Sequence, residues 1–281
     1  MTRARSDASR ILSRGRLAYV AIDVGTGPLV TPVLYGALGE DLWFVTNRQA
    51  LKARVLARRP AAGWVVSGDD SSVVAAGEAQ LFSLSDPRAA LARVAELAHA
   101  PAALVSWAKR NPRQVAGFLG DSVVRPSRAL PQDVVLVRLR PTASVVVDRP
   151  AHVEDAEVSP AVTSALPEAL AHLPATPYGV LGLVTPQGPL ALPIAWDGTT
   201  ATLPDQVADL VRDAGPSVCV TFDDPVRNRP TQQRGVVLRG SGGPVLAGTS
   251  TGWAVDATRI TYWDGFDTRT VTLTREPVPT P

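Results

Sequence analysis

Between Leu42 and Pro60 the chain reads Leu-Trp-Phe-Val-Thr-Asn-Arg-Gln-Ala-Leu-Lys-Ala-Arg-Val-Leu-Ala-Arg-Arg-Pro. Thr46 and Asn47 bring side-chain oxygens, and Lys52 and Arg54 bring cations a short distance on. Hydroxyl, amide and cation converging near a helix start suit a phosphate, because unsatisfied backbone donors and positive side chains meet there. Lys52 and Lys109 are the only lysines in a chain whose positive charge is otherwise arginine. A compact ammonium on a flexible stem is a common phosphate ligand. The same residues also describe an ordinary capped helix with a solvated basic face.

The elements that would position this group can be read around it. Leu42 to Val45 is bulky and partly β-branched, a short buried strand. Thr46 and Asn47 stand where the strand gives way to a helix and are expected to cap it. From Gln49 to Arg58, Leu51, Val55 and Leu56 recur at helical spacing, which leaves Lys52, Arg54 and Arg58 off the buried stripe. A second chemically dense stretch is Tyr262-Trp263-Asp264-Gly265-Phe266-Asp267-Thr268-Arg269.

Composition removes several classes of function. The 281 residues are 45% hydrophobic and 19% charged, the balance of a folded globular protein. A net charge of +2, without interleaved basic and aromatic residues, argues against a nucleic-acid partner. Cys219 is the only cysteine, so no internal disulfide forms. With His99, His152 and His172 it makes no metal-ligand spacing. The short apolar run Leu17 to Ile22 ends at Asp23 with no cleavage signature, and no stretch reaches membrane-spanning length. The expectation is a cytoplasmic protein with no membrane partner, whose N-terminal helix, Ser6 to Arg14, lies over the first domain.

An internal repeat organises the rest. Gly27-Pro-Leu-Val-Thr-Pro-Val-Leu-Tyr35 recurs as Gly188-Pro-Leu-Ala-Leu-Pro-Ile-Ala-Trp196, each after an apolar strand. Pro60 with the strand 63–67 matches Pro216 with 217–222; 77–82 matches 235–240; and 141–148 matches 257–264. Short β-rich runs with regular turns favour barrels. The expected fold is mainly β with α insertions: two tandem split β-barrels forming an intrachain pseudo-dimer. The first barrel is 1–148, with a helical insertion at about 86–121. A Pro-rich connector, 149–178, carries one short helix from Pro160 to His172. The second barrel is 179–275, its helix Asp205 to Ala214, and 276–281 is a tail.

Thr46-Asn47, four residues, then Lys52 resembles the flavin-phosphate segment of the pyridoxamine 5'-phosphate oxidase family, the flavin-binding split barrels. That family follows Thr-Asn with Ser-Arg-Lys; here Ala50 and Leu51 stand where Ser and Arg would be. Trp263, Gly265 and Arg269 resemble the family's C-terminal segment. The resemblance implies FMN, or alternatively a deazaflavin, with Thr31, Pro32 and Val33 lining the ring. It places Thr46, Asn47, Lys52 and Arg54 at the phosphate, Trp263 by the ring and Arg269 toward substrate. It implies an oxidoreductase transferring hydride to or from a small organic molecule, with one cofactor per chain between the barrels and no catalytic residue singled out. The chain would be a monomeric pseudo-dimer or a homodimer. A non-catalytic or heme-binding barrel whose flavin site has decayed is the alternative.

Overall fold

A computed structural model describes residues 2–15, 17–83, 99–113, 116, 133–151, 156–224, 233–247, 250–265 and 267–273. Helix α1 (Thr2–Arg14) leads into β1 (Leu17–Asp23), β2 (Pro28–Leu38) and β3 (Asp41–Asn47). Helix α2 (Leu51–Leu56) precedes β4 (Ala61–Ser67) and β5 (Ser71–Ser83), and after α3 (Ala100–Arg110) comes β6 (Val134–Asp148). These strands close into a six-stranded barrel in the order β1-β2-β3-β6-β5-β4. The connector holds α4 (Pro160–Ser164) and two 3-10 turns, in place of the single expected helix. Of the expected helical insertion, 86–121, only residues 99–113 and 116 are among the described residues.

The rear half repeats the plan. Strands β7 (Tyr178–Thr185), β8 (Gly188–Trp196), β9 (Thr200–Thr202), β10 (Ser217–Asp224), β11 (Arg234–Ala247) and β12 (Ser250–Asp264) form a ring that the β11–β12 pairing closes. Strand β13 (Asp267–Thr272) is appended to β12. Between β9 and β10 the expected ten-residue helix is instead one 3-10 turn and the four-residue α5 (Ala208–Val211). No helix among the described residues is long and apolar enough to cross a membrane.

Matching irregularities identify the repeat at atomic level. The β5–β6 ladder slips at Ala76/Gly77, and the β11–β12 ladder slips at Arg239/Gly240. At each slip a threonine hydroxyl bonds a carbonyl across the strands, Thr142 to Ala76 at 3.1 Å and Thr258 to Arg239 at 3.4 Å. Such bulges bend a strand so that a sheet can curl into a barrel. Gly77 therefore corresponds to Gly240, a correction to the pairing of 77–82 with 235–240. The sequence alignment placed glycine on glycine, while the bulge sets the true register. The pairing of 141–148 with 257–264 agrees with the ladders.

The halves meet face to face, with the outer surface of β1, β2 and β4 against β7, β8 and β10. Small residues permit the approach: a Cβ on Gly63 would lie 2.3 Å from the Pro189 carbonyl oxygen, and one on Gly182 would lie 2.6 Å from Val30 Cγ2. The contact is two-fold in kind. Gly27 touches Ser217, and its counterpart Gly188 touches Ala61, the counterpart of Ser217. One apolar cluster runs unbroken through both barrels. A second, smaller cluster joins Trp43, Phe82 and Leu136 to Ala100 and Ala103 of α3. Arg138 lies over the Trp43 ring and donates to Asp41 at 2.7 Å.

Polar contacts across the seam are few. Thr221 Oγ1 donates to the Val30 carbonyl at 3.1 Å, and the Tyr19 hydroxyl donates to Asp223 through a short bond. Burial pushes the Asp223 carboxyl up to about 6, against the lowering effect of the tyrosine bond, and Asp224 raises it further.

Two predictions follow from the seam. Gly63→Val should lower Tm by the equivalent of about 1–3 kcal/mol of overpacking, while Gly243→Ala, with open space at its Cβ, should not; equal melting of both would refute the packing. For Asp223, the folded pKa of about 6 exceeds the unfolded value of ~3.9. The folded state then binds more protons, so this group's stabilisation is complete below about pH 4 and is lost as pH rises through 6. Asp223→Asn should therefore gain stability over the parent, at most about 3 kcal/mol, at pH 7.5 but not at pH 4, as denaturant titrations would read.

Candidate functional site

The β2–β3 ladder ends at Tyr35↔Phe44. Strand β2 nevertheless runs back to Pro28 along β1, and β3 runs on to Asn47 along β6. Between Thr31–Leu34 and Val45–Asn47 the wall is therefore split. Helix α3 lies across β2 just past this opening, with Trp107 Nε1 donating to the Leu34 carbonyl at 3.0 Å and Ser106 Oγ to Ala37 at 2.9 Å. Gly36 permits that crossing, since a Cβ there would sit 2.6 Å from the Trp107 nitrogen.

Six expected residues flank the split: Thr31, Pro32 and Val33 on one side, Thr46 and Asn47 on the other, and Lys52 on α2 beyond. Thr31, Pro32, Thr46 and Asn47 are half-buried, and Val33 is buried. Thr46 and Asn47 do not cap α2. They complete β3, and Asn47 Oδ1 accepts from the Gln49 amide at 2.7 Å, while Ala50 holds the cap position without a side-chain bond.

The helix also presents a different face from the one its periodicity suggested. Leu51 is 49% exposed, whereas Ala53 and Leu56 are buried and Lys52 is half-buried beside them. A six-residue helix is too short for its apolar spacing to dictate rotation; its junctions with β3 and β4 do so. Desolvation pushes the Lys52 ammonium down to about 8. No carboxylate pairs with it among the described residues. Arg54 is exposed.

The opposing surface belongs to the rear half. Asp223, Gly235, Trp263 and Thr268 lie in one cross-strand row, so they share a sheet face. Tyr19 reaches Asp223 from the front barrel and is itself paired with Pro32, so this face looks toward β2. The Trp263 indole lies over Gly235, where a Cβ would meet its Cζ2 at 2.0 Å. The fold thus aims Trp263 toward the row that reaches Pro32. Arg269 is exposed and pairs with Tyr262, which puts it on the opposite face of the sheet from Trp263. Tyr19 and Asp223 were not singled out from sequence. Only the contact across the seam marks them, because the two are 204 residues apart.

The two-fold relation generates a second, equivalent position, and there the chemistry is missing. Leu203 and Pro204, both buried, stand for Thr46 and Asn47. Ser67, Ser72 and Val147 stand for Asp223, Gly235 and Trp263; Ser72 and Val147 are buried. Gln206 Nε2 donates to Asp148 at 2.6 Å across that side. No group of three or more potential metal ligands occurs among the described residues.

The pyridoxamine 5'-phosphate oxidase family profile matches residues 4–126. No curated protein matches the chain. Among solved structures, a pyridoxamine 5'-phosphate oxidase-related, FMN-binding protein of Nostoc punctiforme is 18% identical, covering 53% of this chain and 85% of its own, with a TM-score of 0.39. A FAD-binding protein of Mesorhizobium loti is 16% identical, covering 50% and 91%, with a TM-score of 0.34. The General Stress Protein 26 of Bacillus anthracis is 12% identical, covering 50% and 92%, with a TM-score of 0.32. The model of the pyridoxamine 5'-phosphate oxidase family thus matches the front half, over residues 4–126, and the chain is built as two split barrels in tandem.

Proposed function

We propose that the chain binds one flavin-type cofactor, FMN or a deazaflavin, in the cleft between its halves and acts as an oxidoreductase on a small organic substrate. The observation that carries this reading is Lys52: a desolvated ammonium with no carboxylate among the described residues, beside the split in a barrel wall. A partly desolvated cation with no carboxylate beside it is costly, and an anion delivered by a ligand offsets that cost. The family match over residues 4–126 supports the choice of ligand.

A bound flavin supplies two-electron redox chemistry at its ring. The chain's own residues bind and orient. Lys52 holds the phosphate, with Thr46 and Asn47 alongside and Arg54 at the solvent edge. Thr31, Pro32 and Val33 line the ring from β2, Trp263 covers it from the rear half, and Arg269 sits at the outer margin. The Tyr19 hydroxyl donates to Asp223 at the inner end of the same row, and burial raises that carboxyl to about 6. One such cleft per chain is expected, because its two-fold counterpart presents buried apolar residues.

The heme alternative finds no support in geometry. His99 is at the start of α3 and His172 is exposed in the connector, neither flanking the split; His152 lies outside the described residues.

Fluorescence titration of the purified protein with FMN, riboflavin and a deazaflavin tests the reading. Lys52→Ala should weaken FMN about 10- to 100-fold, the loss of one charge-assisted contact, and leave riboflavin, which lacks the phosphate, unchanged. Affinity for FMN should also fall as pH rises past about 8, where the ammonium loses its proton. Absence of binding by any of the three ligands, or equal FMN affinity in the variant, would overturn it.

A further inference from the structure

On the rear wall of the cleft, the Trp263 indole occupies space that a side chain on the next strand would otherwise fill. Gly235 on β11 and Trp263 on β12 are direct cross-strand partners. A Cβ on Gly235 would lie 2.0 Å from Cζ2 and 2.3 Å from Cη2 of the indole, so any other residue there would drive the ring away. Gly235 is buried, stands inside a strand, and is not among the glycines that take positive φ. Backbone conformation therefore does not call for glycine at 235. A glycine inside a strand weakens it and marks a close approach, and here the approaching group is the indole.

The indole leans in a definite direction. Its other cross-strand partner, Thr268 on β13, is exposed. On the β11 side, Gly235 is followed in the row by Asp223, which Tyr19 meets from the front barrel. The six-membered ring of Trp263 thus lies on the side toward the seam, and Tyr19 is in turn the partner of Pro32. The repeat supplies an internal control. In the front half the two corresponding positions are Ser72 and Val147, again direct partners and both buried. The same strand pair closes with a small hydroxyl residue and a branched aliphatic one, so the barrel itself does not need glycine and tryptophan there. They occur together on the side that also carries Thr46, Asn47 and Lys52.

We propose that Gly235 is a positioning residue for the cofactor ring: by leaving room for Trp263 against β11, it fixes that indole as the aromatic wall on which a planar fused-ring ligand stacks. The proposal rests on the flavin-type cofactor inferred above and divides its recognition between the halves. Lys52 in the front half reads the anionic tail; Gly235 and Trp263 in the rear half read the ring. Stacked aromatic groups attract beyond the area they bury. That gain is largest when the indole is in place before the ligand arrives, because ordering a side chain on binding costs affinity.

Fluorescence titration of the full chain with FMN and riboflavin tests the proposal. Gly235→Ser should weaken both ligands by the same factor, about three- to tenfold, leaving the ratio of FMN to riboflavin affinity at its parent value; Lys52→Ala changes that ratio instead. Combining Gly235→Ser with Trp263→Val rebuilds the Ser72–Val147 pair, and the double variant should melt higher than Gly235→Ser alone. Once Trp263 is valine, the serine should cost no further affinity, which shows that Gly235 acts through the indole. Near-ultraviolet circular dichroism gives a readout without flavin: ligand-free Gly235→Ser should lose the part of the parent signal that Trp263→Val removes. Unchanged flavin affinity in Gly235→Ser, a shifted FMN-to-riboflavin ratio, or an equal further loss in the Trp263→Val background would each overturn the role of Gly235 and leave the cofactor proposal standing. Absence of flavin binding by the parent would overturn both.

Discussion

The structure depends on the burial of one broad apolar face of each barrel against the other. In each half the outer surface of the first hairpin is apolar, and neither barrel can leave it in water without exposing a large hydrophobic patch. The two-fold arrangement that satisfies both faces at once is the isologous contact of a symmetric dimer, drawn here inside one polypeptide. It dictates small residues at Gly63 and Gly182, where backbone meets backbone or side chain without room for a Cβ. It also decides where anything polar can sit. Polar contacts across it include Tyr19 to Asp223, Thr221 to the Val30 carbonyl and Arg239 to Thr26.

Two equivalent clefts flank such a seam, and they have diverged. On one side stand a threonine, an asparagine, a lysine with no carboxylate among the described residues, and a tryptophan over glycine. On the other, leucine and proline meet serines and valine, and a glutamine-aspartate bond crosses the side. In a true homodimer any substitution would alter both clefts at once. Joining the copies lets one keep polar chemistry while the other improves packing. The same freedom allowed arginines at one bulge and alanines at its twin.

Much of this was legible in the residues, for identifiable reasons. The repeat Gly27–Tyr35 and Gly188–Trp196 is written in glycine and proline, whose backbone demands are local; both leading glycines take positive φ, 119° and 125°. Lys52 stood out because lysine is rare here. Its inward turn was not legible, since a helix of one and a half turns takes its rotation from the strands it joins. The register of β5 against β11 was misread for a related reason: a bulge is a property of two paired strands, and one strand's sequence does not announce it. Tyr19 and Asp223 are invisible to spacing altogether, because the seam that assembles them brings together distant parts of the chain.

The connector between β6 and β7 changes the thermodynamics of the seam as well as its history. In a two-chain dimer, dilution separates the partners by mass action, and apparent stability depends on protein concentration. Here the second barrel is held near the first at an effective concentration fixed by the tether. The interface therefore persists at dilutions where an untethered pair would drift apart.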